Sequence, residues 1–212
     1  MDAGRSDARR NVDAILLAAR EALADDPGAE LGAIAARAGV HRVTLHRHFP
    51  TREALFEAVY RREVAQLGDL AEQLKSEPEP VEALRRWLRS NVEFVGTKKG
   101  MMAALALVAK PSSELTAFSF ERLTQAVGAL LARAVAAGEI RADVSPEDLL
   151  RALIGMCYLN DQPGWQHSVL RLLDVFVDGL RLPAASRDPT PPRPRVAAAP
   201  TKPTRSPRRT PR

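Results

Sequence analysis

Residues 31–55 read LGAIAARAGVHRVTLHRHFPTREAL. Apolar residues Leu31, Ile34, Ala35 and Ala38 fall three or four apart, the period of a helix with one buried face. Gly39 follows at once, the residue type that enters a left-handed helix end without steric cost. Val40 and Leu45 then anchor a second short helix, whose other side offers Arg42, Val43, Thr44, His46 and Arg47. Pro50 and Thr51 break the chain and cap a third helix. Two short helices about a glycine turn, the second with a polar cationic face, describe a helix-turn-helix and predict duplex DNA as the partner.

The 212 residues are 45% hydrophobic and only 5% aromatic, which favours an all-α protein of one or two domains. No apolar run approaches the roughly 20 residues needed to span a bilayer, so no membrane is expected. The N-terminal MDAGRSDARR lacks the apolar segment of a signal peptide, and the single Cys157 suits a reducing compartment; a cytoplasmic location is expected. The net charge of +5 is unevenly spread. Residues 1–62 hold ten arginines against nine carboxylates, and residues 63–182 hold thirteen basic against sixteen acidic residues. Residues 183–212 carry seven Arg and one Lys against one Asp. DNA affinity must therefore come from local placement or from this tail.

Val12, Ile15, Leu16, Ala19 and Leu23 form the stripe of a first helix over 9–24. Leu55, Phe56, Val59, Tyr60, Leu67, Leu70 and Leu74 predict a long helix from 51 to 75, about 35 Å at 1.5 Å per residue, enough to link two domains. Further helices are expected over 80–97, 100–109, 113–137, 146–159 and 165–181. Ser145, Pro146 and Asp148 give the fourth of these, 146–159, a strong N-terminal signal. Nine of the sixteen prolines lie in 183–212, a stretch predicted to be a disordered Pro/Arg-rich basic tail. Its Ser206-Pro207-Arg208-Arg209 is similar to minor-groove-binding elements of histone tails.

The run IAARAGVHRVTLHRHFPTREAL resembles the DNA-binding signature of the TetR/AcrR regulators, and the resemblance covers about 65 N-terminal residues. It implies a DNA-binding domain at 1–50 and a ligand-binding and dimerisation domain at 51–182. It also implies a homodimeric transcription factor, most often a repressor released from its operator by a small-molecule effector; an activator or a ligand-independent regulator is the alternative. By the same resemblance Arg42, Val43 and Thr44 reach base edges, with Arg47 on the same helix. His46, His48 and Arg52 match phosphate-contacting positions. His46 stands where Tyr is usual, and His41 where a Ser or Thr cap is usual. Glu30 and Gly32 occupy positions that often carry hydroxyl or basic residues.

The resemblance makes Trp87, Phe94, Met101, Met102, Phe118, Phe120, Met156, Tyr158 and Trp165 candidates to line an effector pocket for an apolar or amphipathic ligand. Leu150, Leu153, Leu173, Phe176, Val177 and Leu180 are candidates for a dimer interface made by the last two helices of each subunit. No cofactor or metal is expected: His41, His46 and His48 lack the i, i+4 spacing that puts two imidazoles on one helical face. Nucleotide-binding glycine loops and nucleophile elbows are absent from the sequence, so no enzyme is expected. Cys157 reads as a packing thiol.

Overall fold

A computed structural model describes residues 3–26, 28–105, 113–158 and 162–183. These residues form eight helices: α1 (Ala3–Asp25), α2 (Leu31–Arg37), α3 (Arg42–His48), α4 (Arg52–Leu74), α5 (Pro80–Leu105), α6 (Ser113–Ala136), α7 (Pro146–Tyr158) and α8 (Trp165–Leu180). The only β pairing among them is an isolated antiparallel bridge between Ile140 and Arg181. The tail expected from residue 183 onward lies outside the described residues apart from Pro183 itself.

The expected punctuation is realised in detail. Gly39 has φ +67°, its N–H reaches the Ala36 carbonyl at 3.1 Å, and the Val40 N–H reaches Ala35 at 3.0 Å. These two bonds are the Schellman pair that satisfies the last carbonyls of α2. Thr51 caps α4 by accepting from the Ala54 N–H at 3.1 Å. Ser145 and Asp148 cap α7 reciprocally: the Asp148 N–H donates to Ser145 Oγ at 3.1 Å, and the Ser145 N–H donates to Asp148 Oδ2 at 3.3 Å.

One expected boundary is corrected. Helices at 80–97 and 100–109 are a single α5 reaching Leu105. Glycine in a helix interior costs about 1 kcal/mol, and Gly96 and Gly100 suggest a break. Tertiary contacts at and just before the Lys98-Lys99 pair outweigh that cost. Phe94 and Val95 are buried, Lys98 lies over the Tyr60 ring, and Lys99 donates to the Cys157 carbonyl at 3.0 Å.

Helix α4 is the axis of the fold, packing against α1, α5 and α6. Leu55, Phe56, Val59, Tyr60, Val64, Leu67, Ala71 and Leu74 turn one continuous face inward. It is held at two points by different partners. At the far end Arg133 of α6 donates to the carbonyls of Leu74 at 2.9 Å and Glu77 at 2.6 Å, at the helix terminus. Near its middle the indole N–H of buried Trp87 donates to the Leu67 carbonyl at 2.8 Å, tying α5 to α4.

The last two helices divide the residues expected at the dimer surface between two sides. Leu150, Leu153, Leu173, Val177 and Leu180 are buried within the protomer and Phe176 is half-buried. The wide apolar arc of α8 has two sides. The inner one, with Val169, Leu173, Val177 and Leu180, packs on its own subunit. The outer one leaves Leu172 54% and Val175 71% exposed. Arg85 and Arg89 of α5 fix this orientation by pairing with Asp174, and Arg85 also with Asp178.

Candidate nucleic-acid interface and ligand cavity

Helix α3 is sorted by its own period. Leu45 and Phe49 point inward and are buried, with Ile34 and Ala35 of α2 in the same core. Arg42, Val43 and Arg47 are exposed, and Thr44 and His46 are half-buried beside them. Arg42 and His46, like Val43 and Arg47, are one helical turn apart and share the outer face. Val43, at 79% exposed, is the most exposed large hydrophobic residue among those described.

Charge placement explains how a nearly neutral domain offers a cationic face. Arg10, Arg20, Arg37, Arg61 and Arg62 are each held by a carboxylate: Asp7, Glu63, Glu21 with Asp25, Glu57 and Asp13 respectively. Arg42 and Arg47 have no carboxylate partner among the described residues, and neither has exposed Arg9 on α1. Most of the domain's acid is thus spent on arginines away from α3. Arg9 has no motif signal in the sequence; only its lack of a partner marks it.

The phosphate-facing group is less uniform than the resemblance implies. Arg52 donates from Nη1 to the Ala29 carbonyl at 2.6 Å and stacks over Phe56 at 5.0 Å, so it clamps the start of α4 onto the α1–α2 connection. His48 is half-buried, and its Nε2 is enclosed with no hydrogen-bond partner among the described residues. That nitrogen is closed off from the surface. His41 and Glu30 precede α3 and α2 without a side-chain cap, leaving backbone N–H groups at both helix starts open to an anion.

In the other half a cavity of about 70 Å³ lies among α4, α5, α6 and α7. Tyr60 lines it from α4; Asn91, Phe94, Val95 and Lys98 from α5; Thr116, Ser119, Phe120 and Leu123 from α6; Leu150, Ile154 and Tyr158 from α7. Of the residues expected at a pocket, Phe94, Phe120 and Tyr158 line it. Trp87 instead packs in the core on Leu67, and Phe118 lies on the surface under Arg61. Met156 is half-buried on α7 away from the cavity lining, and Trp165 sits under the Lys99 ammonium. Met101 and Met102 lie in α5, and their side chains are outside the described residues. Asn91 escaped the sequence reading, although a polar residue in register with Trp87, Leu88 and Val95 on one apolar stripe was its signal.

Residues 15–59 match the model of bacterial regulatory proteins of the tetR family, and residues 79–182 match that of the SbtR-like transcriptional regulator C-terminal domain. A TetR transcriptional regulator of Streptomyces coelicolor has 41% identity and a TM-score of 0.69, over 82% of this chain and 99% of that one. This chain belongs to the TetR family of transcriptional regulators. A TetR regulatory protein from Mycobacterium vanbaalenii is 31% identical, TM-score 0.69, over 84% of this TetR regulator and 99% of its own chain. The HTH-type transcriptional repressor LfrR of Mycolicibacterium smegmatis is 46% identical over 83 residues, 38% of this chain and 43% of that protein. The match therefore spans less than half of LfrR's length. LfrR has also been solved in complex with proflavine; that structure is 26% identical, TM-score 0.58, over 82% of this chain and 98% of the other.

Proposed function

We propose that this TetR regulator is a homodimeric repressor, acting in the cytoplasm, that a small-molecule effector releases from its operator. One relationship carries the reading: α4 begins at Arg52 beside the reading head and contributes Tyr60 to the wall of the cavity. A ligand that displaces Tyr60 moves the same helix that holds the head. Two heads of a dimer must match half-sites about 34–36 Å apart, or a compatible multiple, so a modest shift of α4 costs operator affinity. Arg42, Val43 and Thr44 are assigned to bases; His46, Arg47 and the free N–H groups of α3 to the backbone. Arg52 is assigned to positioning α4.

The outer face of α8, with Leu172, Val175 and half-buried Phe176, supplies the isologous dimer contact. Repression, rather than activation, is supported by the likeness of an 83-residue part of the chain to the repressor LfrR. Footprinting on the DNA upstream of the protein's own gene, with in vitro transcription from the same fragment, tests the reading. Arg42→Ala with Thr44→Ala removes the footprint, and transcription rises when the protein is left out. An unchanged footprint overturns the reading head, and a fall in transcription makes the protein an activator.

A further inference from the structure

We infer that the cavity takes a small carboxylic acid with an apolar body and a second acceptor oxygen, and rejects organic cations; this rests on the effector reading above. Asn91 lines the cavity, is 1% exposed, and its Nδ2 has no hydrogen-bond partner among the described residues. A buried amide donor without a partner carries an uncompensated desolvation cost, which a ligand oxygen would remove.

The charge in the cavity lining, among the described residues, has one sign. Among the described residues Lys98 is the one charged residue of the lining, and it has no carboxylate partner among them. Its ammonium lies 5.4 Å from the centre of the Tyr60 ring. Lys99 lies 5.2 Å from Tyr158, and Arg151 lies 5.9 Å from Phe120. Three aromatic rings of the wall therefore already hold cations of the protein itself. An incoming cation would find those ring faces taken and a positive field, whereas a carboxylate would find a counter-ion. Arg151 is balanced by Asp148 at 3.9 Å.

Spacing sets the ligand's layout. Asn91 and Lys98 are seven residues apart on one face of α5, about 10 Å along the axis. Phe94, Val95 and Ile154 supply the apolar wall around them. The carboxylate goes to Lys98, and the flexible lysine stem reaches back toward the second oxygen's site at Asn91.

The test is calorimetric titration of the full chain with 4-oxo-4-phenylbutanoate, 4-phenylbutanoate and 4-phenylbutylamine. The keto acid is expected to bind, the acid lacking the ketone at least 10-fold more weakly, and the amine not at all. Asn91→Leu should erase the difference between the two acids. Lys98→Glu, a half-exposed position whose change leaves the core intact, should abolish acid binding and admit the amine. Binding of the amine as tightly as the acids, no binding by any of the three, or unchanged discrimination in both variants overturns the inference. The same three probes are added to an operator gel shift. Acid that binds but leaves the operator complex intact refutes effector release and keeps the ligand class. Release by the amine alone refutes the ligand class and keeps effector release.

Discussion

Arg20 of α1 donates from Nε to Glu63 of α4 at 3.0 Å, and Glu63 is 7% exposed. The pair joins the first helix of the DNA-binding head to the axis of the protein, at a point one turn from Tyr60. Arg20 itself is partly solvated, so screening reduces what the pair contributes. Its removal still leaves a buried carboxylate without its counter-ion. Arg20→Met is expected to destabilise the fold by about 1–2 kcal/mol, read as a lower urea midpoint. Glu63→Gln, which removes the charge needing compensation, should cost less. Equal costs would mean that the pair carries no charge coupling.

Gly39 sits at φ +67° with no side chain within 4 Å of where a Cβ would lie. Replacement is therefore costly through backbone conformation rather than through a clash. Gly39→Ala should lower stability by about 1–2 kcal/mol and weaken operator binding by tilting α3 against α2. Gly39→Asn should recover part of the stability, since Asn tolerates this region better than Ala. A Tm for Gly39→Ala equal to wild type would refute the account.

Arg42 and Arg47 are the uncompensated arginines of α3. Each replacement by Ala should weaken operator binding about 10- to 100-fold if the side chain reads a base edge. A phosphate contact would instead weaken all sequences alike and reduce the salt slope by about one. Measuring specific and nonspecific DNA across a salt series separates the two roles for each residue.

Val175→Glu changes the outer face of α8 and Leu173→Glu the inner one. The first should give a folded monomer by light scattering with its helical circular dichroism retained. The second should unfold or precipitate, because it places a charge in the protomer core. A dimeric Val175→Glu protein would move the subunit contact away from α8.

Burial pushes the Cys157 thiol up to about 11, against a smaller opposite pull from Lys99. Its folded value lies above the unfolded one, so this contribution to stability is intact below about pH 8.5 and is lost as pH rises toward 11. Cys157→Ala should flatten the stability curve between pH 9 and 11, in urea titrations at each pH. The native thiol should also react slowly with a disulfide reagent at pH 8, and quickly in urea. Rapid native labelling would contradict its burial.

Helix identity, the glycine turn, the Ser145–Asp148 cap and the outward residues of α3 were all legible from periodicity and capping chemistry, because each depends on neighbours within one or two turns. The α5 boundary was not, since Gly96 and Gly100 signal a break locally while Tyr60 and Cys157, distant in sequence, hold the helix together. The family resemblance pointed to a pocket, but Trp87 and Phe118 were sent to core and surface by which helices α5 and α6 happen to face.

Local chemistry alone determined that this chain is all-α, that Gly39 makes a turn and that Arg42, Val43 and Arg47 share one face. Those properties follow from the 3.6-residue period and from backbone sterics, which short-range sequence specifies. Only the tertiary structure decided which arginines remain without a carboxylate, which side of α8 is left uncovered, and that Asn91 and Lys98 share a cavity wall with Tyr60. Ion pairing and burial depend on residues tens of positions apart meeting in space, and no single stretch of the chain carries that information.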